Sequence, residues 1–514
     1  MFRKTLILTV LTIILLHCVH IQAVPLIPGS AFDPEVQPYS GLSIVGDQDS
    51  VGDDIGLVRP GLQHPFRTWK GLRGAVLEAL SPGTPKRSIL RYAWQGEGLE
   101  LKTDLNIVAG YEYKIREQGN YGFLYKGLRL RNVINDRLFL STRWWNGGFF
   151  GDLDSAANDP LIDSWHKVNP DRITLDNLSA DLSYRVPHLG LSLGRSKFNV
   201  TNSFSGSIVL GDKVNEYGYL MAEGSLGRFT LSMLQGALVA DSIYVENPST
   251  PVNLHYYPDK FLALHQLSYA AGGGVQLFAG ETVIYGNRGL DLNYLIPVSF
   301  WRAAEHNLRD RDNVMIYGGM NYKPSPDLVI YLQGALDELS YSKLLTNWWG
   351  NKYALQTGLQ AALPRLYQSG GKSPVLNLEL TAVRPWTYAH YMNHTMYSHD
   401  RRPLGYSKGS NLVDLSVGLK LPLPLQTSLQ SSASFTRQGS FGSSWQENYA
   451  EAFPGQQQYD GTAEWFEGNR TDKIKLQNIL SIDLMAHHRL RLGLSSEHIE
   501  NWKHDLSAGW QFSF

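Results

Sequence analysis

The chain has 514 residues, 46 Lys+Arg against 47 Asp+Glu, 43% hydrophobic and only 18% charged residues. That composition excludes a disordered or collagen-like chain, and the near-zero net charge gives no reason to expect nucleic acid as a partner. No apolar run after the N-terminus reaches the length of a membrane-spanning helix, so a helical bundle is excluded as well.

Residues 1–23 read as a secretory signal peptide. Arg3 and Lys4 form the basic region, Leu6 to Leu16 the apolar stretch, and Ala23 the small residue before the expected cleavage at Val24. A lipoprotein signal around Cys18 is the alternative, but His17 stands where a small residue is needed. Cleavage takes away Arg3 and Lys4, so the 46 basic residues become 44 against 47 acidic. It also removes Cys18, the only cysteine, so disulfides, thiolate ligands and a cysteine nucleophile are not expected.

Val24 to Arg59 is rich in Pro, Gly and Asp and reads as a tether. Trp69, Leu72, Val76 and Leu80 then recur at helical spacing, which predicts a short periplasmic helix over about 67–81, ended by Ser81-Pro82-Gly83. Residues 24–100 are therefore taken as tether and helical segment, and 101–514 as the main body.

In that body the hydrophobic period becomes two. Val413, Leu415, Val417, Leu419 and Leu421 alternate with Asp414, Ser416, Gly418 and Lys420. Ile474, Leu476, Leu480 and Ile482 do the same against Lys475, Gln477, Ser481 and Asp483. A soluble sandwich or propeller could alternate likewise. Three features favour an all-β, transmembrane antiparallel barrel. The strands are about 10–12 residues long, aromatic residues sit near their ends, and short turns alternate with long connections. About 18 strands can be marked off, an even number as a closed single-chain barrel needs. Leu506, Ala508, Trp510, Phe512 and Phe514 share one face of the final strand, resembling the C-terminal signal of outer-membrane barrels. The expected surroundings are outer-membrane lipid and the barrel-assembly machinery.

With the aliphatic face toward lipid, Asp181, Arg185, Glu379, Asp414, Lys475, Asp483, Arg489, Arg491 and Glu497 line the interior. Mixed charge suits a water-filled channel, and equally an interior closed by ion pairs and inserted loops. Catalytic signals are weak: there is no nucleophile elbow and no phosphate loop, and no enzyme activity is expected. His390, His394 and His399 crowd one loop, but a loop does not fix ligand geometry, and neither metal nor cofactor is assigned. Trp144, Trp145, Phe149, Phe150, Trp348 and Trp349 fit an interfacial girdle. Trp445, Tyr459 and Trp465, in the longest connection, could equally stack on sugars.

Several segments resemble the capsule assembly Wzi family of outer-membrane proteins. They are Gly190-Leu191-Ser192-Leu193-Gly194-Arg195 with Lys197-Phe198-Asn199 and Gly206-Ser207-Ile208-Val209-Leu210, then Gly280-Glu281-Thr282-Val283-Ile284-Tyr285-Gly286, then Val383-Arg384-Pro385-Trp386-Thr387-Tyr388-Ala389-His390. Asn199-Val200-Thr201 departs from the Trp-Gly pair that the pattern leads one to expect. The resemblance implies an 18-stranded barrel with a small helical periplasmic part and a lectin-like role in holding surface polysaccharide. A substrate-uptake porin is the alternative function. Arg195, Glu281 and Arg384 lie in the family-like segments and are the polar residues expected to act inside the barrel or at its rim. Trp445, Tyr459 and Trp465 join them as candidate glycan contacts. Glu281 is expected within the span with a cationic partner, and Arg384, before Pro385, beyond the hydrocarbon or turned inward.

Overall fold

The structure is a computed structural model. It describes residues 62–63, 90–96 and 99–513, less 136, 164–165, 201, 242, 246–253, 344–345, 365, 367–372, 448–460 and 486–487. The signal sequence and the helix expected over 67–81 lie outside the described residues.

Eighteen antiparallel strands close into one barrel. In chain order they are β1 (Leu99–Ile115), β2 (Tyr121–Ile134), β3 (Leu138–Gly151), β4 (Arg172–Val186), β5 (Leu189–Ser196) and β6 (Tyr217–Leu226). Then come β7 (Phe229–Val239), β8 (Asp259–Gly272), β9 (Val275–Gly286), β10 (Asn313–Ser325), β11 (Leu328–Glu338) and β12 (Lys352–Ala362). The last six are β13 (Val375–Val383), β14 (Leu412–Leu423), β15 (Thr427–Gln438), β16 (Thr471–Met485), β17 (His488–His498) and β18 (Trp502–Ser513). Each strand pairs with its neighbour in sequence, and β18 returns to β1 with Ser513 opposite Val108 and Leu506 opposite Ile115. A further strand, Leu90–Gly96, pairs with the start of β1, so strand structure already begins within 24–100.

The two-residue period sets which side chain meets lipid. On β14, Asp414, Ser416 and Gly418 are buried inside while Leu415 and Leu419 are exposed outside. Leu191 and Leu193 on β5, Leu220 on β6 and Leu332 on β11 continue the outer apolar band. Tight turns and the C-terminal end share one rim, and the long connections share the other. In outer-membrane barrels these are the periplasmic and external sides.

Half of the interior is filled by two external connections, 197–216 and 384–411. Phe198, Val200, Ile208, Val209 and Leu210 from the first, with Tyr388, Tyr397, Leu404 and Tyr406 from the second, form one core with the inner faces of β6–β14. The two segments are tied to each other, Gly211 N–H donating to Leu404 O (2.6 Å) and Tyr388 OH to Ile208 O (2.7 Å).

Candidate functional site

Buried carboxylates pin the two inserted segments to the wall. Glu379, on the inner face of β13, accepts the backbone N–H groups of Phe204 (2.7 Å) and Ser205 (3.0 Å) and the hydroxyl of Tyr331 (2.6 Å). Asp414 on β14 accepts Tyr406 OH (2.7 Å), Ser416 Oγ (2.8 Å) and the ammonium of Lys408. Gln356 donates to Gly206 O (2.9 Å) and Gln333 to Asn202 O (2.7 Å), so loop backbone taken out of water recovers its hydrogen bonds from wall side chains. Gly418 makes room for the loop: a Cβ there would lie 2.2 Å from the Phe204 ring.

The inner face of the opposite half carries several arginines. Arg129 and Arg131 on β2 share the inner face, and Arg129 stands directly across from Arg143 on β3. Arg143 is 3.6 Å from Glu216, and Arg185 on β4 is 3.6 Å from Glu223. Arg491 on β17 also faces inward, level with Gly509 of β18, beside Arg489, which is bound to Asp483 (2.6 Å).

At the external mouth, Arg384 follows the last residue of β13 and is 3% exposed. Its Nε donates to Asn351 O (3.3 Å) and its Nη2 to Ala463 O (3.0 Å), joining two further external segments. The half-buried indole of Trp465 lies over the guanidinium. Arg384 therefore sits beyond the strand, as Pro385 implies. Trp445 is partly buried against the interior core, and Tyr459 lies outside the described residues. A separate cavity of about 410 Å³ opens between 152–171 and Asp400–Arg402, lined by Leu153, Asp154, Ile162, His166, Arg401 and Arg402 among others. Burial lowers the Arg402 guanidinium to about 10, and its Nη1 donates to Lys213 O (3.0 Å).

Two of the residues expected inside the barrel or at its rim face outward. Arg195 has the same outward parity as Leu191 and Leu193 and is exposed on the outer wall, next to the external end of β5. Glu281 also faces outward, with Leu277 and Val283, and is buried only because the connection 287–312 covers it from outside. Beside it stands His265, whose Nε2 is 2.9 Å from Glu281 and whose Nδ1 is 3.2 Å from Pro297 O.

The aromatic pairs divide. Phe150 and Trp144 face outward as girdle residues do, but Trp145 and Phe149 turn inward into a core with Tyr121 and Phe123. Trp348 and Trp349 pack with Trp386 and Ala463 in a buried cluster, where neither lipid nor sugar can stack on them. Two of the three loop histidines have separate partners. His390 bonds Thr395, and His399 Nδ1 accepts Val239 N–H (3.0 Å). Burial, then nearby Lys352 for His390 and Lys260 for His399, lowers both to about 3, so both are neutral. Among the described residues, one trio brings metal-type donors within 4.8 Å of one another: Glu305, His306 and Asp310. Arg302 already supplies a cation there, 3.4 Å from Glu305 and 4.0 Å from Asp310.

Reading residue pairs two apart on β2 would have found Arg129 and Arg131 from the sequence. The Arg401–Arg402 cavity has no such signal, because two distant connections build it.

No family model and no curated protein sequence matches this chain. Among solved structures, it is similar to Wzi of Escherichia coli, a carbohydrate-binding outer-membrane barrel involved in group 1 capsule assembly, with TM-score 0.51, 13% identity, and 88% of this chain and 89% of that chain covered. The Pseudomonas aeruginosa barrel OccK5 (OpdH) aligns at TM-score 0.44 and 9% identity over 80% of this chain and 98% of that one. At these identities the likeness is one of fold, and the fold is that of a closed outer-membrane β-barrel.

Proposed function

We propose that this protein is a non-catalytic outer-membrane attachment protein that holds polysaccharide at its external mouth. The observation that carries this reading is the filling of half the barrel by 197–216 and 384–411, each fixed by buried carboxylates. Such an interior suits a rigid platform better than a wide passage. It builds a fixed external surface on which Trp465, backed by Arg384, and the cavity at Arg401 and Arg402 offer an aromatic face and charged donors to sugar hydroxyls. The carbohydrate-binding character of the Wzi barrel, which has the same fold, agrees with this reading.

Uptake of an anionic solute is the second reading, and one observation favours it. Arg129, Arg131 and Arg491 all face the interior half away from the two segments. Planar-bilayer recording separates the two. Attachment predicts small or absent currents, together with loss of cell-surface polysaccharide when the gene is deleted. Large, stable, anion-selective currents would replace attachment with uptake.

A further inference from the structure

The connection 287–312 does not enter the barrel but lies against its outer wall. Gln235, His265 and Glu281 stand on outward faces of β7, β8 and β9, with Leu267 and Leu277 on those same outer faces of β8 and β9. Left uncovered, they would place a polar cluster in the apolar band. The connection covers them. Tyr294 O accepts Gln235 Nε2 (2.7 Å), and Glu281 accepts the N–H groups of Trp301 (2.8 Å) and Arg302 (3.1 Å). The Trp301 ring stacks on His265 with centres 3.9 Å apart. Beneath it, Tyr294 and Trp301 pack on Ala263, Val283, Tyr285 and Val314. At its neck, Arg288 bonds Asp312 through both terminal nitrogens (2.8 and 2.6 Å).

The side turned away from the wall is apolar. Leu290, Leu292, Ile296, Val298 and Phe300 are 59%, 74%, 48%, 86% and 59% exposed. A segment bathed in water does not gather such a surface by chance. The wall around it exposes Leu220 (52%), Leu267 (48%) and Leu332 (54%) to lipid, so the two surfaces form one band. Of its charged groups, Arg309, Asp310 and Arg311 are exposed and lie in the return to the external end of β10, while Asp291 is half-buried and bound to Arg288 (3.2 Å).

We propose that 287–312 is a flap seated in the outer leaflet, its Leu290–Phe300 face in contact with lipid acyl chains and its inner face sealing a polar patch on the wall. The proposal does not depend on the polysaccharide reading.

Single-cysteine variants test it in the full-length protein. Val298→Cys and, separately, Leu292→Cys are made in a Cys18→Ser background, labelled with an environment-sensitive fluorophore and reconstituted into phosphatidylcholine vesicles. Heat-modifiable migration verifies folding. Quenching by acyl-chain spin-labelled lipid should match that of Leu332→Cys on the wall, and aqueous iodide should be several-fold less effective than at Asn469→Cys on an external connection. Iodide quenching equal to that at Asn469→Cys, at both flap positions, would overturn the proposal. So would protection from both quenchers, which would mean that protein covers the face.

Discussion

The guanidinium of Arg384 lies 5.4 Å from the ring centre of Trp465, on the side chain that also closes hydrogen bonds to Asn351 O and Ala463 O. One cation thus holds three external segments together. Arg384→Ala leaves two carbonyls without their donor, a cost of about 1–3 kcal/mol each where buried, and removes a cation–π contact worth about 0.5–2 kcal/mol. Thermal unfolding, followed by heat-modifiable migration, should shift to lower temperature, and external proteolysis should speed up. Arg384→Lys should recover only part, since a single ammonium does not reproduce the forked donors.

Glu379 should control how firmly 197–216 stays inside. Glu379→Ala removes the acceptor of two backbone N–H groups and of Tyr331. Gly418→Val acts on the same segment by excluding the Phe204 ring. Both variants should raise single-channel conductance above wild type while the barrel still folds. Unchanged conductance in both would mean that this segment does not limit the passage.

Acid should loosen the 384–411 segment. His390 and His399 are held near 3 in the fold against an ordinary 6.5, so the unfolded chain binds more protons between those values. Stability from these two groups is therefore full above about pH 6.5 and declines as pH falls toward 3. The midpoint of thermal unfolding should drop between pH 7 and 4.5. His399→Gln, which keeps an acceptor for Val239 N–H, should flatten that slope.

The external cavity offers a separate test of polysaccharide attachment. Arg401 is half of its cationic lining and is exposed. Arg401→Ala should leave unfolding temperature within about 0.5 kcal/mol equivalent of wild type, as surface changes do. Retention of labelled polysaccharide on cells should fall several-fold if the cavity contacts it.

Much of the wall was readable because its physics is local. Alternation at Val413–Leu421 places Asp414 inside and Leu415 outside, and the structure agrees. The same parity, followed through Leu191, Leu193 and Arg195 or Leu277, Glu281 and Val283, already puts both charges on the outer face. The family-like setting of those residues pointed instead to the interior or the rim. What the sequence does not carry is the direction in which a long connection folds. The segments 197–216 and 287–312 are both mixtures of apolar and polar residues, yet one enters the barrel and the other covers its outside. That choice depends on acceptors contributed by remote strands, Glu379 for the first and Glu281 for the second. Likewise Trp348 and Trp349 read as girdle residues until Trp386 and Ala463 arrive from elsewhere to bury them.

Because β18 supplies the partner for β1, the seam joins the first and last strands of the barrel. Until Trp502–Ser513 is in place, β1 presents an open row of amide and carbonyl groups that lipid cannot satisfy. Insertion therefore cannot be completed strand by strand as the chain emerges. Truncation within Trp502–Ser513 should therefore send the chain to proteolysis rather than leave a smaller barrel.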